Sequence, residues 1–257
     1  MRLHSHIQGE GNPLIILHGF LGSLDNWQVM SKRLARTRKI YSLDLRNHGR
    51  SPHGQAMNYA VMAKDVHEFI VEHGLKAPSV LGHSMGGKVG MQLAAHHPDE
   101  VEKLVVVDIA PKAYPPVHQP MLSAMRAIDL NIHSSFSDVD GALTGVIPEP
   151  AVRQFMMKNL TRDPESKFHW RLGLDEIIKN YDELTKPVVA DKQFTKSACF
   201  IRAGRSDFIQ DSDLAEIREV FPRAEFITIS NAGHWIHIDA ADEFQTIVTN
   251  FLAAQTK

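Results

Sequence analysis

Short runs that are apolar at every residue recur along this chain, and polar, glycine-bearing sequence follows each one. Leu14-Ile15-Ile16-Leu17 leads into His18-Gly19-Phe20-Leu21-Gly22-Ser23, and Leu104-Val105-Val106-Val107 into Asp108-Ile109-Ala110-Pro111. Ala198-Cys199-Phe200-Ile201 precedes Gly204-Arg205-Ser206-Asp207. A strand with no polar face needs cover on both sides, as in a sheet buried between helices. The intervening sequence supplies the helices. Trp27, Met30, Leu34 and Ala35 share one side of a helix over 26–38, and Val61, Met62, Val66, Phe69 and Ile70 repeat at helical spacing behind Asn58, a good capping residue. Lys39–Leu43, Ser79–Leu81 and Glu225–Ile229 read as further strands, and 88–95, 212–221 and 240–253 as further helices. Alternation of this kind gives an α/β class: a mostly parallel central sheet flanked by helices, with right-handed crossovers.

The rhythm breaks between Lys112 and Lys186. No apolar strand run is visible there, whereas 121–130, 151–160 and 175–184 have helical patterns among prolines at 115, 116, 120, 148, 150 and 164. The expected organisation is a core of residues 1–111 and 187–257, with 112–186 inserted as an α-helical cap over the sheet. Its Met121, Met125, Phe136, Phe155, Met156 and Met157 are candidates for lining an acyl pocket, because methionine adapts to flexible ligands; helix-core packing explains most of them equally well.

Composition narrows the partners. With 28 basic and 30 acidic residues the net charge is −2, so nothing favours a nucleic-acid partner. The single cysteine, Cys199, lies in an apolar run and excludes an internal disulfide, which suits a reducing compartment. No signal-peptide core or membrane-length apolar run is present, and the expectation is a cytoplasmic protein without a membrane span. No metal or cofactor motif is visible, and the oligomeric state is not legible.

Chemistry concentrates in Gly82-His83-Ser84-Met85-Gly86-Gly87, a tight turn between a strand and a helix. Gly82, Ser84 and Gly86 fit Gly-x-Ser-x-Gly, in which a strained turn lifts a serine above the sheet and glycines avoid collisions on either side. Functional groups of open α/β sheets gather beyond the carboxyl ends of the strands. Five such ends here carry the parts of one nucleophilic site. Ser84 is the candidate nucleophile and His234, in Gly233-His234-Trp235 after the last strand, the candidate base. His48, His83 and His237 are rivals less well placed in the serine–acid–histidine order. The oxyanion hole needs two backbone N–H donors, one from Met85 and the other from the loop after Leu14–Leu17, at Phe20. Phe20, Met85 and Trp235 are candidate pocket residues. Asp207 and Asp108 both end strands from which a carboxylate can reach the histidine, and both stay open as the acid.

These stretches, together with Gly22-Ser23-Leu24-Asp25-Asn26-Trp27, Asp44-Leu45-Arg46-Asn47-His48-Gly49-Arg50-Ser51-Pro52 and Gly82 to Lys88, resemble the α/β-hydrolase superfamily over the whole chain, and more narrowly the YbfF-like esterases. The resemblance implies carboxylesterase activity on short-to-medium acyl esters, extending to acyl thioesters, with no cofactor. It also implies a preference for Asp108, because such relatives commonly lack an aspartate at the position of Asp207. Two other readings share the scaffold. A carbon–carbon lyase such as the menaquinone-pathway synthase would need anion-binding arginines, for which Arg126, Arg153, Arg162 and Arg171 are available. A non-catalytic hydrolase-like binding protein would keep the pocket without turnover.

Overall fold

The computed structural model describes residues 1–254. Seven strands form the main sheet: β1 (Ser5–Gln8), β2 (Pro13–Leu17), β3 (Lys39–Leu43), β4 (Ser79–His83), β5 (Leu104–Val107) and, after a long insertion, β8 (Ala198–Ala203) and β9 (Ala224–Ile229). Their spatial order is β1-β3-β2-β4-β5-β8-β9, and only β1 runs antiparallel to its neighbour. The fully apolar runs occupy the middle. Leu14–Leu17, Ser79–His83 and Leu104–Val107 are buried throughout, as a sheet covered on both faces requires.

Helices α1 (Gln28–Leu34), α2 (Tyr59–Glu72) and α3 (Met85–His96) follow the first strands, and α9 (Asp213–Val220), α10 (Ile236–Asp239) and α11 (Ala241–Ala253) the last. Asn58 caps α2 as its sequence suggests, its side chain accepting from the Val61 N–H at 2.8 Å. Two separate apolar clusters result. One joins α2, α3 and the insertion to one face of the sheet; the other packs Trp27, Met30, Leu34, Phe244 and Val248 against the opposite face.

β2 lies between β3 and β4, so the chain first moves one way across the sheet and then returns past its starting strand. In open α/β sheets a ligand crevice lies at such a reversal. Here Leu17 and Gly82 are direct partners in the β2–β4 ladder, which brings the His18–Ser23 loop beside the Ser84 turn.

The insertion differs from its sequence reading in three respects. It contains α4 (Gln119–Ala127), α5 (Phe136–Leu143), α6 (Pro150–Met157), α7 (Leu174–Lys179) and α8 (Tyr181–Thr185), but also a two-stranded antiparallel hairpin, β6 (Leu160–Arg162) with β7 (Phe168–Trp170). Three-residue strands are too short for a period-2 pattern to register. The helix expected over 175–184 is broken at Asn180, whose amide bonds the carbonyls of Gln55 and Glu176 and accepts from the Met57 N–H, tying the break to the core. α5 had no expected counterpart; a Ser135–Asp138 capping box starts it. At the other end of the chain, the polar edge strand β1 was also unforeseen. No helix of the described residues is long and apolar enough to cross a membrane.

Candidate active site

Ser84 heads α3 with φ 52° and ψ −119°, a left-handed backbone that a serine adopts only under constraint. The constraint is visible around it. The Ser84 N–H bonds the Val107 carbonyl at 3.0 Å and its own carbonyl accepts from the Lys88 N–H at 3.1 Å. A Cβ on Gly82 would lie 2.2 Å from the Gly86 oxygen, and one on Gly86 would lie 2.5 Å from the Leu17 oxygen. The two glycines are therefore steric necessities of the turn.

Asp108 also sits at positive φ, 51°, at the end of β5 and is fully buried. Its carboxylate collects three donors: the Ala203 N–H at 3.0 Å, the Ser206 hydroxyl at 2.6 Å and His234 Nδ1 at 2.8 Å. Asp207 is exposed, and no hydrogen bond or ion pair among the described residues involves its side chain; it lines the rim of the larger cavity. The geometry therefore brings Asp108, not Asp207, to His234. The sequence carries no separate signal for Ser206, which stands beside Asp207 in the Gly204–Asp207 turn.

The Asp108 bond holds the His234 proton on Nδ1 and leaves Nε2 as the accepting nitrogen. The ring is stacked on Phe208, with centroids 4.3 Å apart. From behind, His83 Nε2 donates to the His234 carbonyl at 2.8 Å. Burial and the neighbouring imidazoles hold His83 well below the usual histidine pKa, so it works as a neutral donor. Of the other rivals, His48 is buried beneath the His18–Ser23 loop, and His237 stacks on Trp27 at 4.1 Å.

That loop is pinned from below by two neutral histidines. His18 Nδ1 donates to the Gly19 carbonyl and Nε2 accepts from the Leu45 N–H; His48 Nδ1 donates to the Arg46 carbonyl and Nε2 accepts from the Leu21 N–H. Burial lowers His18 to about 4 and His48 to about 3, so each keeps the single proton this pattern needs. Leu21 takes a positive φ of 54°, and its carbonyl receives the amide of Asn159 from the insertion at 2.8 Å. Among the described residues no hydrogen bond uses the Phe20 N–H, and the first N–H groups of a helix such as α3 have no partner within it. Sequence reasoning did not foresee the support from Asn159.

Two cavities meet at Ser84, His234, Phe20, His118 and Phe208. The larger, about 490 Å³, also takes in Met85, Tyr59, Tyr114 and Tyr181. The smaller, about 240 Å³, takes in Trp235, Trp27 and His237. All three expected pocket residues thus line a cavity. The sulfur- and ring-bearing residues of the insertion divide: Met121 and Phe155 reach the smaller cavity, Met125 and Met156 are buried in the core, Met157 packs against it, and Phe136 is half exposed. None of the four arginines reaches either cavity. Arg126 pairs with Asp175, Arg153 with Asp140 and Arg171 with Asp25, while Arg162 bonds the Ser134 and Ser166 carbonyls.

A metal has one conceivable purchase among the described residues, the surface group of His67, His97 and Glu100. Its two imidazoles are stacked at 4.0 Å with planes 6° apart, so their in-plane lone pairs do not converge on a common ion.

An α/β sheet with a strained serine turn at its reversal point and a histidine–aspartate pair beside it defines the hydrolase class. The chain belongs to the α/β-hydrolase fold family, whose sequence pattern matches residues 12–144. Among its relatives are the sn-1-specific diacylglycerol lipase of Mus musculus, 36% identical over 93% of this chain and 80% of that protein, and the Escherichia coli esterase YbfF, 30% identical over 95% and 94%. A solved structure of a marine microorganism esterase superposes with a TM-score of 0.95, at 37% identity over 97% of this chain and 99% of that one. These likenesses support hydrolase activity.

Proposed function

We propose that this protein is a serine carboxylesterase acting on short-to-medium acyl esters through an acyl-enzyme on Ser84. The observation that carries the reading is the 2.8 Å bond from His234 to the buried Asp108 beside the strained Ser84. Ser84 Oγ attacks the ester carbonyl while His234 Nε2 takes its proton. The tetrahedral oxyanion is held by the N–H groups of Phe20 and Met85, and collapse expels the alcohol, protonated by His234. Water activated by the same nitrogen then releases the acid. Asp108 stays ionised and stabilises the imidazolium. On this reading 112–186 is the cap, and the core is 1–111 with 187–257.

The substrate's acyl chain is apolar, because the hydroxyls of the larger cavity are already used. Tyr59 donates to the Leu184 carbonyl and Tyr114 to the Phe208 carbonyl, while Tyr181 accepts from the His118 N–H at 2.9 Å and donates to His118 Nδ1 at 3.0 Å. Relatives named as lipases and esterases fit the same chemistry. The four arginines considered for the lyase alternative are engaged away from both cavities, and Arg205, at the rim of the larger one, is the arginine such a reading would have to use.

The test is hydrolysis of p-nitrophenyl butyrate by the purified protein and covalent labelling by a fluorophosphonate. Both should vanish in Ser84→Ala. Turnover that survives in that variant refutes the serine mechanism, and tight ester binding without turnover in the unaltered protein points instead to a binding function.

A further inference from the structure

Lys88 is a fully buried charged side chain, 1% exposed on the first turn of α3, four residues beyond Ser84. A cation there opposes the helix macrodipole, and the hydrogen bonds of Nζ among the described residues go to main-chain carbonyls rather than to a carboxylate. Neither the helix nor a salt bridge accounts for its place. Its contacts do: Nζ donates to the carbonyls of Lys112 and Lys186, each at 2.7 Å. These residues lie where the chain leaves the sheet for the cap and where it returns.

The two crossings also bond each other. The Tyr114 N–H meets the Thr185 carbonyl at 2.9 Å, and the Val188 N–H meets the Pro111 carbonyl at 2.7 Å, on either side of the lysine's two acceptors. Tyr59 and Tyr114 turn their rings to the ammonium at 5.0 and 4.9 Å. One turn further along α3, Gln92 holds the Val189 main chain through both its amide atoms. Burial lowers Lys88 to about 7. The neutral amine still has two N–H donors for two carbonyls, so the contact outlasts loss of the proton.

We propose that Lys88 is a positioning residue that pins both crossings of the cap to the nucleophile's own helix, and so sets the reach of the larger cavity beside Ser84. The inference rests on the esterase reading only for its catalytic consequence. A loosened neck frees the part of the cavity wall that the insertion supplies, including Tyr181 and Leu184, and a longer acyl chain leans on more of that wall. Long acyl chains therefore suffer and short ones do not.

The experiment compares unaltered protein with Lys88→Met, which has no donor, and Lys88→Gln, which keeps an N–H donor on a shorter stem. p-Nitrophenyl acetate and octanoate are assayed per fluorophosphonate-reactive Ser84, and amide hydrogen exchange is followed over 110–115 and 184–189. In Lys88→Met, KM for octanoate should rise about tenfold and acetate kcat/KM change less than twofold, a split a general loss of packing would not give. Exchange in both neck segments should quicken about tenfold while α2 is unchanged, and Lys88→Gln should fall between. Equal losses on both esters with unchanged neck exchange overturn the proposal. If Lys88→Met does not fold, the same two readouts in Lys88→Gln decide it. If the unaltered protein has no esterase activity, the serine reading fails, and neck exchange alone still tests the pin.

Discussion

The ring of His83 donates to the main-chain carbonyl of His234 at 2.8 Å, across 151 positions of sequence. In the proposed mechanism, the residue before the nucleophile thus carries the loop of the residue that takes the nucleophile's proton. The His234 main chain is then held through His83 and its ring through Asp108.

Loss of the His83 bond should appear in turnover. In His83→Leu the His234 loop loses its donor, and kcat should fall by ~10–100-fold, as small misplacements of a catalytic base do. His83→Gln retains an N–H donor and should recover part of the loss. Steady-state kinetics with p-nitrophenyl acetate measure both, and a kcat within twofold of normal in His83→Leu would assign the bond a purely structural role.

The two aspartates should separate sharply. In Asp108→Asn the amide oxygen is needed by the Ala203 N–H, which turns the NH2 towards His234 Nδ1 and favours the wrong tautomer, so kcat should fall by ~10⁴, the cost seen for the corresponding change in a serine protease. Asp207→Asn changes an exposed group with no bond to the histidine and should leave kcat within a factor of two. Reversed effects would require a His234 conformation different from the one seen.

Acid stability follows from the buried imidazoles. Burial lowers His18 to about 4 and both His48 and His237 to about 3, whereas an unfolded histidine titrates near 6.5. Between those values the unfolded chain binds protons that the native chain does not. Their stabilising effect is complete above ~6.5 and declines as pH falls towards 4, each group contributing up to ~1.4 kcal/mol per pH unit. His237 gives a clean test, because neither of its buried nitrogens has a partner among the described residues. His237→Phe keeps the stack on Trp27 and should add ~1 kcal/mol at pH 7 while removing one proton from the acid slope. Urea titrations from pH 4 to 7.5 read both.

Glycine substitutions should go in opposite directions. Gly82→Ala drives a Cβ into the Gly86 carbonyl at 2.2 Å, so the turn cannot survive and fluorophosphonate labelling should disappear. Gly141, inside α5, has nothing within 4 Å of an added Cβ. Gly141→Ala should stabilise by ~0.4–1 kcal/mol through the unfolded chain, measured as a rise in Tm.

Much of this architecture is legible in the sequence because the buried strands carry no polar face and each ends in its functional loop. Leu14–Leu17 announces both a central strand and the loop holding Phe20. The polar edge strand β1 and the hairpin Leu160–Arg162 with Phe168–Trp170 carry no such signal; one is half solvated and the other too short for a period. Within the site, residue types and chain order point to Ser84 and His234. Choosing Asp108 over Asp207 depends on which carboxylate the sheet delivers to the imidazole, a distance that no local pattern encodes. The supports are harder still. His18, His48, His83 and Lys88 act through main-chain atoms, and a main-chain carbonyl has no letter in the sequence.

β5 and β8 are hydrogen-bonded neighbours although the whole insertion lies between them in the chain. The sheet is therefore continuous at this point without a strand from that insertion, and the entropic cost of lengthening it grows only logarithmically, by ~0.6 kcal/mol per doubling. Under the proposed function, the choice of ester and the folding of the central sheet reside on separable pieces of one polypeptide. A graft between Pro111 and Pro187 that preserves the two carbonyls facing Lys88 exchanges the first piece without rebuilding the second.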